Sequence, residues 1–124
     1  MKILALGLLL LTLAGCKSTP AEKPADEISA GMDKEAIRQV IRENLVPIRH
    51  CYEKELKTNK NLKGKLVLEW DIEKDGKVSR IAAKQGFNAN VDQCISGVIK
   101  STKFPEPPQG SVGRVVYPFV FTDI

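Results

Sequence analysis

The chain has 124 residues and three cysteines, and 19 basic against 15 acidic side chains leave a net charge of +4. So mild and evenly interleaved a balance argues against a nucleic-acid partner, and the length leaves room for one small core and no second domain.

The first residues read MKILALGLLLLTLAGC. Lys2 gives a positive start, residues 3–13 an uncharged apolar run, and Leu13-Ala14-Gly15 a small-residue approach to Cys16. That is the pattern of a secretory signal, too short to span a bilayer core of ~30 Å as a helix. The ending Leu13-Ala14-Gly15-Cys16 resembles the lipobox of bacterial lipoproteins. The resemblance implies removal of residues 1–15, lipidation of the Cys16 sulfur, and a membrane-tethered protein in the cell envelope. Lys17 in place of an aspartate favours the outer membrane, facing the periplasm. Residues 16–30 then read as a lipidated N-terminus and flexible tether, since KSTPAEKPADEISA has two prolines, several charges and few large apolar groups. Residues 31–124 form the expected folded domain.

Asp33 can cap a helix that begins at Lys34. Ile37, Val40, Ile41, Leu45, Ile48, Cys51, Tyr52 and Leu56 recur at three- and four-residue steps and predict one buried stripe. Pro47 interrupts it, so a kink or two helices meeting near Leu45–Pro47 is expected. Leu66, Leu68, Trp70 and Ile72 alternate with polar residues as in a half-buried strand. Asp75-Gly76 supplies a turn, and residues 78–84 return with Ile81 and Ala83 inward. A second helix over 91–100 is expected, capped by Asn90, with Cys94 on its apolar stripe and Gly97 explained by close packing on the sheet. FPEPPQG cannot be helical, and SVGRVVYPFVFTDI closes the chain as a strand. Pro118 cannot donate to a ladder, so that strand is expected at a sheet edge. Helix, strand, strand, helix, strand predicts an α+β sandwich: a small, mostly antiparallel sheet with both helices on one face.

Several of these signals together resemble one family. They are Cys51-Tyr52-Glu53 late in the first helix, Leu62-Lys63-Gly64-Lys65 opening a strand, and Asp75-Gly76-Lys77-Val78 at the hairpin. Val91 with Cys94-Ile95, Phe104-Pro105-x-Pro107, Gly110 and Tyr117-Pro118-Phe119-x-Phe121 complete the series. Over about residues 35–122 the chain is similar to the AgmX/PglI C-terminal domain, a branch of the TonB C-terminal-like superfamily. The resemblance implies a TonB-like αββαβ fold and periplasmic protein–protein contact without catalysis. It places a partner on the edge of the last strand, at Arg114, Val116, Pro118 and Val120. TonB proper and the larger motility proteins are anchored in the inner membrane and coupled to a motor. This chain has a lipidation signal instead, so a static adaptor or accessory subunit of a motility or transport complex is the expected role.

With Cys16 lipidated, Cys51 and Cys94 remain in an oxidising compartment, both on apolar helix stripes facing one sheet. A disulfide between them is expected; the alternative is two buried thiols acting as small hydrophobes. A catalytic Cys51 finds no base, because His50, the one histidine, points about 100° away on a helix. A zinc site of His50, Cys51 and Cys94 lacks a fourth ligand, and no other metal or cofactor is expected. Glu69, Asp71, Glu73 and Asp75 could suggest a glycosidase pair or a calcium loop, but strand alternation makes them a solvated side. Lys54, Lys57, Lys60, Lys63 and Lys65 offer a second partner, peptidoglycan, for a structural lipoprotein.

Overall fold

The computed structural model describes Gly15 and residues 26–122. The signal segment before Gly15, the lipidation candidate Cys16 and residues 17–25 lie outside the described residues. Strand β1 spans Glu27–Ile28, helix α1 Lys34–Glu43 and helix α2 Leu45–Leu56. Strands β2 (Gly64–Ile72) and β3 (Val78–Gln85), helix α3 (Ala89–Lys100) and strand β4 (Gly113–Phe121) follow. All strand pairs are antiparallel, in the order β1-β4-β2-β3. The expected α+β sandwich is present, with its first helix divided and one short strand added.

Alternation along β2 puts Leu66, Leu68, Trp70 and Ile72 on one face, and all four are fully buried. They meet Ile37, Ile41, Ile48, Ile95 and Ile99 from the helices in one core, which places the helices on that face. Each such Leu or Ile contributes about 1.5–3 kcal/mol through burial. The Trp70 indole N–H is buried without a partner, and its ring lies 5.6 Å from Phe104, the anchor of the proline-rich connector.

The division of the first helix falls at Asn44, whose side chain donates to the Val40 carbonyl at 2.8 Å. Pro47 then sits in the first turn of α2, where a missing N–H leaves no intrahelical bond unmade. The Asp33 carboxylate accepts from Ala36 N–H at 3.1 Å, as the sequence indicates. At α3 the capping residue is Asn88, whose side chain accepts from Val91 N–H, so Asn90 lies inside the helix. Gly97 is also placed differently: it is exposed, and nothing lies within 4 Å of where a Cβ would be. Close packing on the sheet does not explain it. In the β2–β3 turn Gly76 has φ +81°, and Asp75 accepts from Lys77 N–H at 3.1 Å.

Cys51 and Cys94 are joined by a disulfide, with their Cα atoms 5.7 Å apart. It ties α2 to α3 on the core face, Cys51 being only 2% exposed.

Candidate functional site

Residues 26–30, expected in the tether, fold onto the end of the sheet. Glu27 lies opposite Val116 and Ile28 opposite Val115. Ser29 N–H donates to the Arg114 carbonyl at 2.9 Å, and Arg114 N–H donates to the Ser29 hydroxyl at 2.9 Å. Ile28 is buried to 9% exposure. Asp26 accepts from Arg38 Nε at 2.7 Å and Nη2 at 3.1 Å, a forked pair joining the start of β1 to α1. This pairing holds the Asp26 carboxyl below the usual carboxylate range, the Arg38 hydrogen bond being the main cause.

β1 therefore corrects the edge expected for β4. Arg114 and Val116 are already paired by β1, and the Arg114 side chain is engaged with Asp71 at 3.0 Å and Glu69 at 3.4 Å. Val116 is 8% exposed. Pro118 and Val120 lie beyond β1. Backbone groups alternate sides along an antiparallel strand, and those of Arg114 face β1. The same parity turns Val116, Pro118 and Val120 toward the edge, and Val115, Tyr117, Phe119 and Phe121 toward β2. From Pro118 onward no strand among the described residues pairs with this edge, which carries the Pro118 carbonyl and the N–H and carbonyl of Val120, whose side chain is 51% exposed.

Beside this open half lies a groove of about 290 Å³ between α2 and β4. Leu45, Ile48, Arg49 and Tyr52, one helix face by spacing, form one wall. Tyr117 to Thr122 form the other. Tyr52 fixes the far end: its ring stacks on Phe121 at 4.6 Å and its hydroxyl donates to the Leu62 carbonyl. Leu45, predicted in the core stripe, is 41% exposed, because the break at Asn44 turns the first residue of α2 out of the α1 stripe. Val46 beside it is 80% exposed. Burial, the main cause, together with the Asp26 carboxylate raises the Tyr117 pKa, so the phenol keeps its proton.

The opposite edge, β3, is built differently. Its pairing with β2 shifts register twice, between Val67 and Leu68 and between Glu69 and Asp71. Arg80, at the second shift, has φ +45°, rare for a residue with a side chain. It reaches Asp71 at 3.2 Å, while Lys84 meets Glu69 at 4.0 Å. Bulges and exposed basic groups blunt that edge. Asp71 is consequently only 6% exposed, enclosed by Arg80 and Arg114, and not part of a solvated row.

His50 is exposed and Cys51 is bonded to Cys94, so these two neighbours form no nucleophile pair. Among the described residues no group of three His, Cys, Asp or Glu side chains could hold a metal ion. No described helix is long and apolar enough to cross a membrane.

No protein-family model matches the sequence, and no curated protein matches it by sequence. One solved structure is similar. It is the NMR solution structure of Helicobacter pylori TonB-CTD, at 17% identity and a TM-score of 0.45, covering 77% of this chain and 98% of that one.

Proposed function

We propose that the chain is an envelope lipoprotein whose folded domain captures an extended segment of a protein partner by strand addition, as a non-catalytic adaptor or accessory subunit. The observation that carries this reading is the half of β4 from Pro118 onward, which no strand among the described residues covers, beside an apolar groove, while β3 is bulged and charged. Unpaired backbone groups supply affinity in such recognition, and the neighbouring groove supplies selectivity. The lipobox-like Leu13-Ala14-Gly15-Cys16 supports an anchor at Cys16, and Lys17 favours the outer membrane facing the periplasm. The Cys51–Cys94 disulfide is compatible with an oxidising compartment. A motility or transport complex is the class of assembly that the family resemblance supports.

The test is crosslinking in cells from a photoreactive residue at Val120, followed by identification of what is captured. An outer-membrane β-barrel or a motility component is the expected product, and Val120→Pro should abolish its capture. That substitution removes an edge-facing donor and leaves the β2 ladder intact. Neutralising Lys57, Lys60 and Lys63 together should leave capture unchanged. Recovery of muropeptides alone, lost on neutralising those lysines, would replace this reading with peptidoglycan attachment.

A further inference from the structure

The two sulfurs of the disulfide meet solvent unequally. Cys51 is 2% exposed, whereas Cys94 is half-buried and lines an open cleft of about 680 Å³ between the end of α1 and the second half of α3. Val40 and Glu43 stand on one side of this cleft, Cys94, Gly97 and Val98 on the other, and Cys51 does not line it.

Gly97 is what uncovers the sulfur. A helical side chain leans back over the residues three and four positions before it, so a side chain at 97 would lie across Cys94. Nothing lies within 4 Å of the point its Cβ would occupy. The other polar groups around the cleft are engaged within the helices. The Ser101 and Thr102 hydroxyls donate to the Gly97 and Val98 carbonyls at 2.9 and 2.7 Å, and the Asn44 amide donates to the Val40 carbonyl at 2.8 Å. Glu43 and Lys103 line the cleft with opposite charges, so it has no marked sign. Its distinguishing group is the disulfide in its wall.

We infer that Cys94 is a thiol–disulfide exchange site, through which a dithiol of the Cys-x-x-Cys class opens the bond between α2 and α3. The inference stands apart from the strand-addition reading. The attacking thiolate bonds to Cys94 Sγ, the bond between the two Sγ atoms breaks, and its electron pair leaves on Cys51 Sγ, which takes up a proton. The second thiolate of the dithiol then attacks the dithiol's own sulfur in the mixed disulfide and releases the Cys94 thiolate, which is protonated in turn. The dithiol ends as a disulfide, and the two cysteines gain two electrons and two protons. Exchange requires access to the sulfur under attack, which Cys94 has and Cys51 lacks. A single thiol is a poor reagent here, because Cys51, held beside the mixed disulfide, attacks it intramolecularly and restores the bond. A dithiol carries a second thiol with the same advantage. Glycine at 97, unfavourable in a helix and unexplained by packing, keeps the passage clear.

The experiment uses the full chain with its disulfide formed and two synthetic probes. One is the peptide Trp-Cys-Gly-Pro-Cys-Lys, blocked at both ends, and the other carries alanine for the second cysteine. Brief reaction with the one-cysteine peptide in the absence of denaturant, followed by acid quench and mass-spectrometric mapping, should find the adduct on Cys94 and a free thiol at Cys51. The two-cysteine peptide should open the bond about tenfold faster at equal concentration. Gly97→Leu should slow that opening about tenfold relative to Gly97→Ala. Leucine and alanine have similar helix propensity, so the pair differs in cover over Cys94 and little in helix stability. An adduct on Cys51, or on both cysteines equally, would overturn the inference, as would a bond that opens only where urea unfolds the domain. Equal rates for the two Gly97 variants would overturn access through the cleft, and equal rates for the two peptides would overturn the dithiol as reagent.

Discussion

Replacing Cys51 and Cys94 together with alanine opens a crosslink that closes 43 residues of chain. In the chain-entropy account a loop of that length removes about 13 cal/mol/K from the unfolded ensemble, or about 4 kcal/mol at room temperature. The native state adds a smaller loss. Cys51 is 2% exposed, and removing its sulfur from a filled core leaves a void worth about 1 kcal/mol. A domain of this size has about 5–15 kcal/mol in total, so the double variant keeps a reduced margin or none. Converted to temperature, 4 kcal/mol lowers the midpoint by roughly 15–30 °C for about 100 residues. Urea unfolding followed by far-UV circular dichroism, on the oxidised protein and the double variant, reads the difference directly. A loss below about 1 kcal/mol would refute the reasoning. It would mean that the unfolded chain is held compact by something other than this bond, or that α2 and α3 separate at little cost.

Three further outcomes are expected. Gly97→Ala should stabilise the domain by about 0.5–1 kcal/mol in thermal unfolding, because the added methyl meets open space and the helix loses its least favourable residue. Gly76→Ala should act in the opposite direction by about 1–3 kcal/mol, since φ is +81° and the new Cβ would lie 2.3 Å from the Phe104 carbonyl oxygen. Asp26 has its pKa depressed in the folded state, so its contribution is present above the unfolded value of about 4 and is lost as pH falls through the folded one. Hydrogen exchange at Ile28 and Ser29, corrected for the intrinsic rate, should therefore accelerate relative to the core on acidification below about pH 4, and Asp26→Asn should remove that dependence.

The elements that show a period were legible in the sequence. The 3–4 spacing of Ile37, Ile41, Ile48 and Cys51, the alternation from Leu66 to Ile72, and the Asp75-Gly76 turn each mark their own structure, and all four stripe residues are buried. Two cysteines on two core-facing stripes gave the crosslink. β1 was not legible, because two residues have no period and their pairing is set by β4, more than 80 positions away. That omission moved the expected edge: Arg114 and Val116 read as free only while residues 26–30 read as tether. The exposure of Leu45 was hidden for a related reason, since a helix stripe continues smoothly on paper through the break at Asn44. The two irregularities in β3 leave no local mark, as nothing in the residues around Arg80 or Lys84 demands an extra position. Asn88 and Asn90 are equally able to cap, and Asp92, whose carboxylate accepts from Phe87 N–H, belongs to the turn that favours the earlier one.

The seating of β1 also has a mechanical consequence. From Asp26 onward the attachments that hold β1 are arranged in series: the forked pair to Arg38, then the pairing at Glu27, then the buried Ile28, then the bonds of Ser29 to Arg114. A load on Asp26 directed away from the sheet would meet these attachments one at a time, ahead of the disulfide-linked helices. Every step that yields lengthens the exposed edge of β4 toward Arg114. The length of β4 edge that the described residues leave unpaired thereby depends on whether β1 is seated.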